Sequence, residues 1–225
     1  MLTEGKNRMR PLAKFRHTLV AAYYSRLARV LQAAPIDAIS PNTITVISTG
    51  IACAAAVCYA IGHITGGGLL LLLSGFADTL DGTVARLTHK TSRFGALLDS
   101  SLDRVAEFFI FFGLLIYFRH QWVIYAVMLA LMGSIMVSYV KARAESLGAV
   151  RTAGLMQRPE RIIVLSAGSL LNTPIGKYIP KYPDGVLVAT IVIIAVLSTV
   201  TIIQRLRAGG NNFSSTNIPS SEPSD

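Results

Sequence analysis

From Gly185 to Gln204 the chain runs for 20 residues, GVLVATIVIIAVLSTVTIIQ, without one ionisable side chain. A helix of that length rises about 30 Å, the thickness of a bilayer's hydrocarbon core. The run has companions: further apolar segments lie near 42–62, 67–88, 94–118, 121–144 and 160–173, the last of them short for a span. Charged residues make up only 15% of the chain, against about 25% in an average soluble domain. A small globule cannot hide that much apolar surface in one core. In lipid the backbone must satisfy its own hydrogen bonds, which leaves helices as the economical solution. The expected fold is an all-α integral membrane protein with six transmembrane helices.

Residues 1–10 are polar, and residues 11–33 mix Leu, Ala, Val and Tyr with Lys14, Arg16, Arg26 and Arg29. That pattern predicts an amphipathic helix lying along the membrane surface, within an N-terminal cytoplasmic segment of residues 1–35. Pro35 and Ser40-Pro41 interrupt it, and Pro41 is suited to a helix start. The membrane domain is expected over 36–207, followed by a disordered cytoplasmic tail over 208–225 (AGGNNFSSTNIPSSEPSD). Gly66-Gly67-Gly68 predicts a tight turn, and Asn172-Thr173-Pro174, Gly176, Pro180 and Pro183 predict a loop. The first 16 residues do not have the pattern of a cleavable signal peptide. Cys53 and Cys58 sit in an apolar stretch and read as packing residues rather than a disulfide framework. His17, His63, His89 and His120 show no ligand spacing and read as interfacial or loop residues.

The chain carries 21 Lys+Arg against 12 Asp+Glu, a net charge of +9. In so apolar a chain this excess points to an anionic membrane face rather than to nucleic acid. Six spans put both termini on one side. The opposite loops hold only Arg119, Lys177 and Lys181, so the positive-inside rule makes the basic side cytoplasmic. The expected location is the cell's inner, cytoplasmic membrane. Tyr117, Phe118, Trp122 and Tyr125 form an aromatic belt on the far side.

The scarce acids are concentrated. Asp78, Asp81, Asp99 and Asp103 fall inside the second and third apolar segments, where each charge costs about 2.5–3.5 kcal/mol. Asp78 and Asp81 are spaced i,i+3 and Asp99 and Asp103 i,i+4, so each pair shares a helix face. A short basic connection makes the two helices antiparallel, and the four carboxylates are expected to converge. With no His or Cys beside them they form a hard, all-oxygen donor set, suited to Mg²⁺ or Mn²⁺ and, through the ion, to phosphates. Structural ion pairing with Arg86 and Arg104 is a weaker reading, because two arginines do not neutralise four carboxylates. A proton or cation transport path also uses intramembrane acids. Gly82 and Ala85 are small and let a flat ligand approach, and Arg86 can pair with a phosphate or an aspartate.

Asp78-Thr-Leu-Asp81-Gly82-Thr-Val-Ala85-Arg86, eight residues, Gly95, three residues, Asp99, three residues, Asp103 resembles the signature of the CDP-alcohol phosphotransferase family. All eight fixed positions are present. The resemblance implies a six-helix membrane enzyme with a polar cavity on its cytoplasmic side. Such an enzyme moves a substituted phosphate from a CDP-alcohol to an acceptor hydroxyl and releases CMP. It implies that Asp78, Asp81, Asp99 and Asp103 hold two divalent ions, with Asp103 also the general base. It places Gly82, Ala85, Arg86 and Ser92 against the CDP-lipid. Asn42, Thr43, Ile44 and Thr45, in the segment Pro41–Thr45, resemble the family's first-helix border of the nucleotide. Helix capping explains Asn42 and Thr45 equally well on sequence alone.

Lys141 and Arg143 end the fourth segment, Arg158 and Arg161 open the fifth, and Arg205 ends the sixth. Any one of these is ordinary cytoplasmic flanking; together they can hold a second anion, since Arg grips phosphate through a planar fork. Lys-Ala-Arg-Ala-Glu and Arg-Pro-Glu-Arg are similar to blocks of the phosphatidylinositol phosphate synthase branch and its archaeal archaetidylinositol phosphate relatives. That resemblance implies CDP-diacylglycerol as donor and myo-inositol 1-phosphate, a phosphorylated polar alcohol, as acceptor. Lys141, Arg161 and Arg205 match its phosphate pocket, with Arg143 and Arg158 beside them. Glycerol 3-phosphate as acceptor, giving a phosphatidylglycerophosphate synthase, is the runner-up. A homodimer is implied too, and no appended domain for making the CDP-alcohol is expected. A cation or proton transporter explains the acids but not the Gly82/Ala85/Arg86 spacing. A non-catalytic scaffold would not need every signature aspartate.

Overall fold

A computed structural model describes residues 40–88, 90–148 and 154–215, with side chains to 210. The amphipathic helix expected at 11–33 lies outside them. Six helices follow one another: α1 Pro41–Ala60, α2 Ile64–Leu87, α3 Arg93–Tyr117, α4 Val123–Ser146, α5 Arg158–Tyr178 and α6 Gly185–Ser215. The described residues contain no strand.

Local chemistry sets the boundaries. Ser40 is extended, and Pro41 opens α1 where its missing N–H costs nothing. Gly62, at φ +84°, turns the three-residue connection from α1 to α2, a conformation that favours glycine. Ser92 caps α3, its Oγ accepting from Gly95 N at 2.9 Å.

Three expectations are corrected. Gly66-Gly67-Gly68 is not a turn; it lies in α2. A Cβ at Gly67 would stand 2.8 Å from the Tyr59 ring and one at Gly68 2.7 Å from Ser169 Cβ, so these glycines let helices meet closely. The fifth helix does not end at 173: it passes through Pro174 to Tyr178. Pro174 sits in the last turns, where the lost ladder bond interrupts little. Asn172 stays helical, its amide accepting from Leu187 N and donating to Asp184, 3.0 and 3.1 Å away. Finally, α6 continues past residue 208, the expected start of the tail, to Ser215. The two glycines there weaken the helix, but no proline removes a backbone donor before Pro219.

Packing closes the helices into a ring: α1 against α2, α2 against α5, α5 against α6, α6 against α4, α4 against α3, and α3 back against α1. Tyr59, Leu71, Leu114, Phe118, Val127, Leu187, Ile191 and Ile194 fill the interior. Leu72, Phe108, Phe112, Met128, Met132 and Val196 face outward. Apolar side chains on both sides of a helix suit a lipid surrounding. Among the described residues α1, α2, α4 and Gly185–Gly210 of α6 are long and apolar enough to cross a membrane. The other two carry more charge, Asp99, Asp103, Arg104 and Glu107 on α3 and Arg158, Glu160, Arg161 and Lys177 on α5. Short connections alternate the helix directions, so the start of α1, the end of α2 and the start of α3 share one end of the ring. The end of α4, the start of α5 and the Arg205 region of α6 share it too.

Candidate active site

The acids gather at that end. One oxygen from each of Asp78, Asp99 and Asp103 lies within 4.8 Å of the other two. Asp81 does not join them. Its Oδ2 accepts a hydrogen bond from Thr45 Oγ1 at 2.6 Å, and the residue is 5% exposed. The reason is helical phase: three residues turn a side chain about 60° short of a full circle. Asp78 therefore faces α5 and Asp81 faces α1. Three carboxylate oxygens converging without nitrogen or sulfur fit a hard divalent cation. Arg158 shares the site, its Nη1 2.7 Å from both Asp78 Oδ2 and Asp103 Oδ1. Arg104 approaches Asp103 Oδ2 at 3.8 Å.

Three of the openings around this centre have room for a ligand. The first, a cleft of about 170 Å³ between α1, α2 and the start of α3, is bordered by Asn42, Thr45, Asp81, Gly82, Ala85, Arg86, Ser92 and Asp99. A Cβ on Gly82 would meet nothing closer than Arg86 Nη1 at 3.5 Å, so its bare backbone leaves the cleft floor open. Thr43 and Ile44 do not border this cleft. They follow Asn42 by 100° and 200° around α1, whereas Thr45 comes back to its face. Ser92 both lines the cleft and caps α3.

The second opening, about 460 Å³ between α3, α4, α5 and α6, is bordered by Asp99, Asp103, Arg104, Lys141, Arg158 and Arg205. Arg205 is 2% exposed, donates to Val137 O from α6 and keeps a buried Nε without a hydrogen-bond partner. Lys141 stands 4.0 Å from Glu145. Arg143 and Arg161 do not border this opening. Arg143 is exposed, whereas Arg161 is buried at 3% exposure. Arg161 sends Nε and Nη2 to Glu107 Oε1, 2.7 Å each, and Nη1 to Met156 O at 3.2 Å. Glu107 is a residue that the sequence reading did not single out, although the sequence carries a signal for it. An acid in an apolar helix needs a partner, and Arg161 is the partner of Glu107.

The third is an apolar groove of about 880 Å³ between α2 and α5, walled by Leu69, Leu72, Leu73, Phe76, Ile162 and Ile163. It ends at Asp78 and Arg158. Its shape suits hydrocarbon chains with a polar head at the acidic cluster.

Known proteins resemble this chain over most of its length. The family model described as CDP-alcohol phosphatidyltransferase matches residues 38–204. The archaetidylinositol phosphate synthase of Methanothermobacter thermautotrophicus is 41% identical over 169 residues, 75% of this chain and 82% of that protein. The phosphatidylinositol phosphate synthase of Mycobacteroides abscessus is 35% identical over 174 residues, 75% and 76%. The crystal structure of the Mycobacterium tuberculosis phosphatidylinositol phosphate synthase with CDP-DAG bound has a TM-score of 0.68 at 30% identity, covering 83% of this chain and 92% of that one. The same enzyme in complex with manganese and citrate gives 0.69, also at 30% identity, covering 83% and 88%.

Proposed function

Because the chain belongs to the CDP-alcohol phosphatidyltransferase family, we propose that it transfers the phosphatidyl group of CDP-diacylglycerol to myo-inositol 1-phosphate, giving phosphatidylinositol phosphate and CMP. It is a multi-pass membrane protein and a CDP-alcohol phosphotransferase. The observation that carries the acceptor reading is that Asp99 borders both the cleft over Gly82 and the basic cleft of Lys141 and Arg205. A nucleotide donor and a phosphorylated acceptor seated in those two clefts meet at the aspartates.

Asn42, Thr45, Gly82, Ala85, Arg86 and Ser92 hold the CDP part of the donor, and the α2–α5 groove takes its acyl chains. Two divalent ions, Mg²⁺ or Mn²⁺, held by Asp78, Asp99 and Asp103, with Asp81 reaching them from the wall of the Gly82 cleft that it shares with Asp99, would supply positive charge against the pyrophosphate and the leaving CMP. Lys141 and Arg205 hold the acceptor's phosphate, and Asp103 takes the proton from its hydroxyl. The freed oxygen forms a bond to the lipid-linked phosphorus as the bond to the CMP oxygen breaks. Arg86 offsets charge as that bond lengthens. All six helices cross the membrane; in support, the charges of α3 and α5 named above include Asp99, Asp103, Glu107 and Arg161, which pair or border the site rather than stand alone. The basic end faces the cytoplasm of the inner membrane, and the chain works as a homodimer.

Purified protein given CDP-diacylglycerol and Mg²⁺ or Mn²⁺ is offered inositol 1-phosphate, inositol, glycerol 3-phosphate and serine in turn. Inositol 1-phosphate releases CMP fastest; glycerol 3-phosphate doing so instead makes the chain a phosphatidylglycerophosphate synthase. The similarity to an archaeal enzyme favours one second reading, an ether-lipid donor. CDP-archaeol assayed beside CDP-diacylglycerol separates the two.

A further inference from the structure

Arg158 stands between the aspartate cluster and the basic side chains Lys141 and Arg205. It is the first residue of α5, and the backbone before it is pinned. Met156 N donates to Thr201 Oγ1 of α6 at 2.9 Å, and Met156 O accepts from Arg161. The root of the side chain is held, and the side chain, 19% exposed, is fixed at its tip by carboxylates alone, so loss of those contacts releases a long stem with several rotatable bonds. Its Nη1 bridges Asp78 and Asp103, two of the three converging carboxylates. The same residue borders the basic cleft beside Lys141 and Arg205.

A divalent cation between those aspartates and a guanidinium on the same oxygens compete for one place and one set of charges. In the second cleft Arg104, Lys141 and Arg205 stand among Asp99, Asp103 and Glu145, so an anion that enters it adds the negative charge that draws a further cation. We propose that Arg158 is an exchange residue. It neutralises Asp78 and Asp103 until a divalent cation displaces it, and then turns into the basic cleft, where it joins Lys141 and Arg205 on the acceptor's phosphate. Cation and phosphate then promote one another's binding, since a coupling between two sites is reciprocal. Arg158 thereby positions the acceptor only when the aspartates are loaded. This rests on the reading of the aspartates as a metal site and of the basic cleft as an acceptor site.

The test is Mn²⁺ binding to the full chain in detergent, read from the electron paramagnetic resonance of free Mn²⁺, with and without inositol 1-phosphate. In the unaltered protein, inositol 1-phosphate tightens Mn²⁺ binding by at least ~5-fold, the low end of ordinary couplings. Arg158→Gln binds Mn²⁺ tighter by a similar factor without inositol 1-phosphate, and the phosphate adds nothing further. Arg158→Lys keeps the charge and stays with the unaltered protein. Arg158→Gln binding Mn²⁺ no tighter than the unaltered protein overturns the exchange. So does an undiminished phosphate effect in that variant, which would mean direct contact between phosphate and ion. Should Arg158→Gln not fold, Arg158→Met replaces it, and absence of linkage in the unaltered protein is decisive by itself. Asp99→Asn separates the two levels. If it binds Mn²⁺ as well as the unaltered protein, the metal-site reading fails. If it loses Mn²⁺ while Arg158→Gln gains nothing, only the exchange fails.

Discussion

Arg161 directs two guanidinium nitrogens at one oxygen of Glu107, each 2.7 Å away, across the buried interface of α5 and α3. Removing one partner of such a pair strands the other's charge, at a cost of about 3–5 kcal/mol. Glu107→Ala is therefore expected to lower the melting temperature sharply in detergent. Glu107→Leu combined with Arg161→Met recovers most of that loss. Measured thermal stability of the three proteins checks it.

Lys141→Ala and Arg161→Ala separate acceptor binding from folding. Lys141 borders the basic cleft and Arg161 does not. A charged hydrogen bond contributes about 1.5–3 kcal/mol, so Lys141→Ala raises KM for inositol 1-phosphate by roughly 10-fold or more. Its KM for the CDP-lipid stays put. Arg161→Ala loses stability first. Steady-state kinetics with each substrate varied, beside melting curves, distinguishes them.

Thr45→Val removes the 2.6 Å donor to Asp81 while preserving shape. The carboxylate is left buried with one partner fewer, and donor handling suffers by about 1.5–3 kcal/mol. The expected readout is a roughly 10- to 100-fold fall in kcat/KM for CDP-diacylglycerol with KM for the acceptor unchanged.

Asp103→Asn abolishes CMP release while leaving CDP-lipid binding measurable, because an amide cannot take the hydroxyl proton. Asp78→Asn instead weakens the metal-dependent part of donor binding. Near-normal turnover in Asp103→Asn would remove the general-base assignment.

Topology is open to labelling. With Cys53 and Cys58 replaced by Ala, Arg143→Cys and Tyr178→Cys lie at opposite ends of the ring, both exposed. A membrane-impermeant maleimide should reach the first only from the cytoplasmic side and the second only from the other side. Labelling of both from one side would contradict six spans.

Much of this was legible in the residues. The apolar runs located each of the six described helices, because lipid leaves few alternatives, and the aspartate spacing located the acidic cluster. What spacing did not carry was phase and partner. Asp81 and Asp78 share a broad helix face, yet they point to different neighbours, and only the packing of α1 and α5 decides which. Arg161 and Arg158 are both arginines at the start of one helix; whichever finds Glu107 is lost to the cleft. Gly66–Gly68 resembles a turn because glycine serves turns and tight helix contacts equally. Its use here depends on Tyr59 and Ser169, remote in sequence.

The groove between α2 and α5 lies on a seam that no connection among the described residues crosses, since those helices are joined through α3 and α4. Its walls can part without stretching a connection. A lipid substrate thus has a side door onto the bilayer, and on the proposed reading of the basic cleft a water-soluble one arrives at the membrane surface. The two come from different phases by different routes, and the product lipid can return to its own phase without drawing its chains through water.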